Sequence, residues 1–293
     1  MKSIGALKDQ KGAILIWVLW ILAAVSVLAF LILGQSRNLS GLASAEIHYA
    51  QRRHALEGAV HQAIATYFNE GGERIARTYS ISIADIGVTV DISSEGGRID
   101  LNHADEDLLS ALFGAYGFDT VKAQRLAAAL ADWRDDDELA REYGAETIDY
   151  LRKGVNVKPR NGHFQSIGEI AHVLDMPSEA VPCLGPSLTV YSQGNRIDPS
   201  EAVPEVRRVF SWATQRHWMG GDWTLSDDGD SVLNPVQNRS GTAVRFEARL
   251  NTPAGASQNL IMIIRRTSSG LKGFETLLFR YGSTSLDGVN CQN

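Results

Sequence analysis

The feature that most constrains this chain is a run without a charged side chain from Ala13 to Leu33, preceded by Lys2, Lys8 and Lys11. At about 1.5 Å per residue, a helix of this length spans a bilayer core of roughly 30 Å. Because apolar residues cover its whole circumference, the helix needs lipid or a fully buried site. The lysines on the short side predict a cytoplasmic leader and an exported body.

Three interpretations of this segment compete. A cleaved secretory signal has a shorter apolar core and a small-residue cleavage site after it, whereas this run is longer and ends in the poor site 32–36. A plain single-span anchor is the second interpretation. The third places a cut between Gly12 and Ala13, so that the hydrophobic helix becomes the mature N-terminus. The short basic leader and the glycine directly before the apolar run favour this third interpretation.

The helix is predicted to continue beyond the apolar run. Leu56, Val60 and Ile64 recur every four residues and Phe68 closes the stripe, which indicates one amphipathic continuation of the same helix. Glycines at 71–72 end it. The segment from Ala13 to about Phe68 is therefore predicted to be one helix.

The rest of the chain changes pattern twice. Alternating residues predict strand at 79–93, helical spacing covers 104–192, and strands return at 243–250, 259–267 and 274–281. This order predicts an α+β fold, with a long N-terminal helix on an antiparallel sheet and a large helical insertion. The predicted divisions are a leader (1–12), a transmembrane or filament helix (13–33), its amphipathic continuation with the first strands (34–102), the insertion (103–192) and the rest of the sheet domain (193–293).

Composition and the lack of catalytic motifs argue against two classes of function, polyanion binding and catalysis. The net charge is −6 and the sequence pI about 5.7, so the exported part is not a general polyanion binder. No zinc-binding HExxH, nucleophile-elbow or P-loop motif is present, and no enzyme is predicted. In an oxidising periplasm, Cys183 and Cys291 could pair as a disulfide, and the alternative is two unpaired thiols.

The N-terminal segment resembles the type IV pilins and the type II secretion pseudopilins. The resemblance rests on the basic leader, the Gly12–Ala13 junction and the long half-buried helix. It implies cleavage by a prepilin peptidase between these residues and methylation of Ala13. Most family members carry Glu at the fifth mature position, where it is thought to pair with the N-terminal amine of the subunit ahead. Here that position is Trp17, as is typical of the tip subunit, the K protein.

The insertion contains further sequence segments that resemble those of the K family. They are Ile99-Asp100-Leu101-Asn102, Asp132-Trp133-Arg134-Asp135, Gly144-Ala145-Glu146 with Tyr150, Asn161, Phe164-Gln165-Ser166 with Glu169, and Leu188-Thr189-Val190-Tyr191-Ser192. The resemblance implies a minor pseudopilin that caps and starts the periplasmic pseudopilus. The implied partners are the I and J pseudopilins, the prepilin peptidase and the assembly platform. The implied location is the inner membrane, crossed once, with a cytoplasmic N-terminus and a periplasmic body.

The insertion also resembles helix-hairpin-helix modules of competence-type DNA receptors. The corresponding hairpin is 114–119, but its glycines are spaced differently and Asp119 follows them. Such modules bind phosphate through backbone amides and basic residues, and only Lys122 and Arg125 follow closely here. We therefore predict a helix-hairpin-helix or SAM-like scaffold without DNA binding. A membrane-anchored DNA-binding protein of the competence type is the alternative function.

Two acidic segments are candidates for calcium. The run 135–138 lacks the spacing of an EF-hand loop, so a solvated helix end is the preferred interpretation. Asp227, Asp228 and Asp230 flank a glycine in a loop where carboxylates can converge. Because the K-family resemblance implies calcium in the C-terminal sheet domain, these three are the predicted candidate ligands.

Overall fold

The computed structural model describes residues 11–70, 77–194, 197, 200–218, 243–251, 257–267 and 273–283. The chain divides into two units, Met1–His54 and Ala55–Asn293. Helix α1 (Lys11–Asn69) matches the helix predicted from Ala13 to about Phe68. The large apolar side chains of α1 between Leu15 and Leu31 are exposed. Within the described residues, no helix combines the length and the apolar character that crossing a membrane requires.

The second unit combines strands and short helices. Its described strands are β1 (Arg77–Ile83), β2 (Ile86–Ser94), β3 (Ile99–Asp100), β4 (Leu188–Thr189), β5 (Ala243–Asn251), β6 (Ser257–Arg266) and β7 (Phe274–Ser283). Its described helices after α1 are α2 (Glu106–Ala115), α3 (Thr120–Arg134), α4 (Thr147–Arg152), α5 (Ala180–Leu184) and α6 (Pro204–Arg216), with 3₁₀ turns at Glu95–Gly97, Ile167–His172 and Gly185–Ser187. This mixture confirms the α+β class.

Five strands form an antiparallel sheet in the order β1-β2-β5-β6-β7. The predicted strands at 243–250, 259–267 and 274–281 correspond to β5, β6 and β7. The strand character predicted at 79–93 is confirmed, and the segment is divided into β1 and β2, which form a hairpin. Its turn residues Ala84 and Asp85 have φ of 46° and 66°, a left-handed conformation that alanine adopts rarely and aspartate more often.

The sheet buries one face against the C-terminal part of α1. On the helix, Leu56, Val60 and Ile64 are almost fully buried, as their four-residue spacing predicts. Alternating residues of the central strands, including Val90 on β2 and Phe246 on β5, complete the same core. The edge-to-face contact of Tyr67 with Phe246, 5.8 Å between ring centroids, ties helix to sheet.

A second core, which we call the helical core, gathers the insertion. It contains Ile99 and Leu101, the buried sides of α2 and α3, and Tyr150, Phe164 and Leu184. Helix α6 follows the insertion in the chain, yet Val206, Val209 and Ala213 on its inner side belong to the same core. At Gly114, an added Cβ would lie 2.3 Å from the Trp212 ring, so only glycine allows α2 and α6 to approach this closely.

The sheet and the helical core meet at a buried charge cluster, which we call the Glu95 junction. Glu95, in the 3₁₀ turn after β2, is 0% exposed. Its carboxylate accepts a hydrogen bond from Arg245 Nε on β5 at 2.7 Å and one from the Thr189 hydroxyl on β4, and Arg98 Nη1 lies 3.8 Å away. Burial lowers the pKa of Arg98 to about 10, with Arg245 as the next cause. The junction thus joins both ends of the insertion to the sheet.

Candidate metal centre in the helical insertion

Three carboxylates converge where α3 ends and α4 begins. Asp135 follows the last residue of α3, Asp137 lies in the next loop, and Glu146 directly precedes α4. One carboxylate oxygen from each lies within 4.8 Å of the others. This spacing is short enough for one cation to contact all three, since calcium–oxygen distances are about 2.3–2.6 Å.

The loop between the two helices is fixed by Asp132, which is 0% exposed on α3. Its carboxylate accepts hydrogen bonds from Ala145 N at 2.8 Å, Arg141 N at 3.2 Å and Arg141 Nη1 at 2.8 Å. At Gly144, an added Cβ would lie 1.9 Å from Asp132 Oδ2, so the loop closes over this carboxylate only with glycine there. Asp132 and Gly144 therefore place Glu146 beside Asp135.

Glu146 is the unusual member of this cluster. It is 1% exposed, and neither carboxylate oxygen forms a hydrogen bond to a described residue, although the side chain faces Asp149 N in a capping-box arrangement at the start of α4. Burial first, then the negative charges of Asp132 and Asp135, raise the pKa of Glu146 to about 7. A buried carboxylate without a partner is costly, and a bound cation would remove that cost.

Two further buried oxygens also lack a hydrogen-bond partner in the described part of the chain, and a bound cation could take its place. Asp135 Oδ1 and Asn161 Oδ1 are also buried without a hydrogen-bond partner among the described residues. Asn161 lies beside the cluster, because its Nδ2 donates to Asp137 O at 3.0 Å and to Glu138 Oε1 at 3.1 Å. The donor set is thus carboxylate and amide oxygen, which suits a hard cation such as calcium.

The positively charged side chain of Arg141 lies at the edge of the carboxylate cluster. Arg141 forms ion pairs with Asp132 and Asp135, and its Nε lies 2.9 Å from Glu106 Oε1. These pairs raise the pKa of Arg141 above its usual value, first through Asp135 and then through Asp132. Arg141 therefore neutralises the negative charge of Asp132 and pairs with Oδ2 of Asp135. In the described part of the chain it forms no ion pair with Glu146.

The predicted site residues fall in different places. The backbone of Gly12 and Ala13 is helical in α1, and Trp17 on the same helix is 71% exposed. Asp227, Asp228 and Asp230 lie outside the described residues, so their role as ligands stays a prediction. Cys183 is buried on α5 but Cys291 lies outside the described residues, and their pairing also stays a prediction. No sequence pattern links the run 135–138 to Glu146. The sequence-based interpretation of this run as a solvated helix end therefore missed the cluster.

Other residues of the segments that resemble the K family pack around the carboxylate cluster and hold its loops. Asn102 exchanges two hydrogen bonds with the backbone of Phe164, at 3.0 and 2.7 Å, and the Phe164 ring stacks on Trp133 at 6.0 Å between centroids. The Tyr150 hydroxyl accepts from Leu174 N at 2.9 Å. These contacts fix the loops that carry Asn161 and Glu146.

The hairpin between α2 and α3 uses its own amides internally. Tyr116 N, Gly117 N and Phe118 N all donate to backbone carbonyls of residues 112–114. Asp119 caps α3 by accepting from Lys122 N at 3.0 Å. Because these amides are already committed and a carboxylate caps the helix, the hairpin offers no backbone cradle for phosphate.

Comparisons with known proteins address the same region. Residues 91–193 match a family model described as type II secretion system, protein K. This part of the chain is therefore similar to the type II secretion protein K domain. The matched region contains the whole carboxylate cluster and Glu95, Arg98 and Thr189 of the Glu95 junction, whereas Arg245 lies outside it on β5. This match confirms the resemblance to the K family stated from the sequence, and it supports the minor pseudopilin function rather than the competence-type alternative.

A solved structure is also similar to the chain. It is the GspK-GspI-GspJ complex from the type 2 secretion system of enterotoxigenic Escherichia coli. The TM-score is 0.49 at 16% sequence identity, and the alignment covers 71% of this chain and 84% of that chain. No curated protein sequence matches the chain.

Proposed function

We propose that this chain is a minor pseudopilin that caps and initiates the pseudopilus of a type II secretion system. The observation that carries the proposal is the protein K domain at residues 91–193, placed after helix α1 and joined to an antiparallel sheet. In this role the chain is a substrate of the prepilin peptidase and not an enzyme. The α2–α3 hairpin serves as a helix-hairpin-helix-like scaffold within the domain.

The proposed location is the inner membrane, with a single span at 13–33, a cytoplasmic leader and a periplasmic body. The uncharged sequence from Ala13 to Leu33 and the lysines before it support this arrangement. Cleavage between Gly12 and Ala13 and methylation of Ala13 follow from the resemblance to pilins. Processing then frees the helix to pack with the helices of other subunits.

The proposed partners are other minor pseudopilins of the I and J type, with the peptidase and the inner-membrane assembly platform. The solved complex named above contains GspK together with GspI and GspJ. For this chain the family resemblance supports the corresponding assembly. The bulk of the helical insertion would block addition of a subunit above it.

Trp17 gives the tip proposal a direct test. Trp17→Glu places a carboxylate where a tip subunit has no subunit ahead to supply an amine, so the buried charge lacks a partner. We expect this variant to support much less secretion than the wild type, or to change its pseudopilin partners. Trp17→Leu removes the indole without adding charge and is the matched control. Secretion and partner co-purification at wild-type levels in Trp17→Glu would contradict the tip assignment.

We further propose that Asp135, Asp137 and Glu146 hold a calcium ion, with Asn161 Oδ1 as a further ligand. The support is the convergence of the three carboxylates and the unpartnered buried oxygens of Glu146. Calcium bound there would neutralise the repulsion within the cluster and fix the loop between α3 and α4. Its role is structural, since it would stabilise the protein K domain.

Calcium addition should therefore stabilise the wild-type chain. At a free calcium concentration about 100 times the dissociation constant, mass action predicts about 2.7 kcal/mol of added stability. Glu146→Gln should lose most of this increment in thermal unfolding with and without a chelator. Asp228→Asn tests the ligands predicted from sequence. Loss of the increment in Asp228→Asn but not in Glu146→Gln would move the site to the 227–230 loop.

A further inference from the structure

A groove outside the carboxylate cluster has its own chemistry. It lies between the hairpin after α2 and the outer side of α6, and its volume is about 460 Å³. Tyr116 and Phe118 lie on the hairpin side, and Arg208, Trp212 and Arg216 lie on the α6 side. A volume of this size is within the range of sites that bind small ligands or peptide side chains, about 300–1,000 Å³.

The groove is basic in an acidic chain. Arg208 is exposed, and it has no hydrogen bond or ion pair to any other described residue. Arg216 is also exposed, and its guanidinium carbon lies 5.1 Å from the centroid of the Trp212 ring. Lys122 is not part of the groove lining, but its Nζ lies 5.1 Å from the centroid of the Phe118 ring, which does line the groove. One carboxylate, Glu205, also lines the groove. The chain as a whole has a net charge of −6, so this local excess of cations is distinctive.

The distance between the two arginines limits which ligands can contact both of them. Arg208 and Arg216 are separated by two turns of α6, about 12 Å along the helix axis, with Trp212 midway. An extended peptide advances about 3.3 Å per residue and points every second side chain to the same face. Acidic side chains at the first and fifth positions would therefore reach the two arginines, and a large apolar side chain at the third would lie on Trp212.

Nucleic acid fits the same groove less well. The hairpin amides of residues 116–118 already donate to carbonyls of the chain, and Asp119 caps α3. The carboxylate of Glu205 would also oppose a continuous phosphate backbone. Two separated carboxylates need no backbone cradle and bring one negative charge near Glu205 in place of a continuous row, and each gains a charge-assisted hydrogen bond to a guanidinium.

We propose that this groove docks an extended acidic segment of a partner protein, with carboxylates at Arg208 and Arg216 and an apolar side chain against Trp212. The proposal does not depend on the pseudopilin function, because it rests on the groove alone. Failure of N-terminal processing would leave it intact, and failure of peptide binding would leave the processing result intact.

The test is calorimetric titration of the detergent-solubilised full chain with acetyl-Asp-Ala-Phe-Ala-Asp-amide. We expect saturable binding with Kd below about 1 mM, and no measurable binding of the matched peptide with Asn at both acidic positions. The double variant Arg208→Gln with Arg216→Gln should bind the acidic peptide about tenfold more weakly. Lys158→Gln removes an exposed cation outside the groove and should bind it like the wild type.

A charge swap provides a second variant. Replacing both arginines with Glu should transfer binding to the peptide that carries Lys at both acidic positions. Several results would overturn the proposal: no saturable binding of the acidic peptide, equal binding of the Asn peptide, or equal loss in Lys158→Gln. Binding of a short DNA duplex that requires Arg208 and Arg216 would also overturn it, in favour of a nucleic-acid occupant.

Discussion

Gly12→Ala is expected to leave the chain as an unprocessed precursor and to abolish its contribution to secretion. The reason is that the resemblance to pilins places the scissile bond after Gly12, where a peptidase site built around glycine would exclude a methyl group. Without cleavage, residues 1–12 stay attached and Ala13 has no free amine. The measurement is the mobility of the membrane-associated chain beside the wild type, together with secretion by complemented cells.

The matched control is Gly34→Ala, which makes the same substitution within the helix. It should be processed normally, because it lies far from the junction and alanine favours helix by about 1 kcal/mol over glycine. A Gly12→Ala chain that runs with the mature wild-type protein would contradict the pseudopilin interpretation. Slow processing of both glycine variants would point to a general effect on the helix instead.

Glu95→Gln should destabilise the second unit by about 3–5 kcal/mol, since it removes one partner from a buried ion pair. Glutamine preserves the shape of the side chain but leaves Arg245 and Arg98 without their buried counter-charge. The Thr189 hydroxyl also loses a charged acceptor. Urea unfolding of the full chain in detergent, followed by far-UV circular dichroism, measures the change.

Glu247→Gln provides the comparison on the same sheet. Glu247 is only half-buried, and its Oε1 lies 3.2 Å from Arg249 Nη1. A partly exposed surface pair of this kind contributes about 1 kcal/mol or less. If Glu95→Gln costs no more than Glu247→Gln, the Glu95 junction does not hold the insertion on the sheet.

Local pattern predicted the main elements because their residues repeat with the period of the structure. The four-residue spacing of Leu56, Val60 and Ile64 predicted the buried stripe of α1, and the later strands were predicted by alternation. The β1–β2 hairpin was missed because its turn has Ala84 and Asp85, with neither Gly nor Asn to indicate it. The place of α6 in the helical core depends on long-range packing that periodicity does not encode.

The candidate site was predicted only in part. The run 135–138 was recognised as acidic, but its partner Glu146 comes from beyond an intervening loop that closes on Asp132. The same is true of the Glu95 junction, where Glu95 and Arg245 are 150 residues apart in the chain. Both sites depend on tertiary contacts, so neither spacing nor composition could identify them.

The most direct test of the pseudopilin account is the intact mass and N-terminal residue of the chain, isolated from membranes of cells with and without prepilin peptidase. The account predicts a mature chain that begins at a methylated Ala13 only when the peptidase is present. A chain that begins at Met1 in both strains would contradict it.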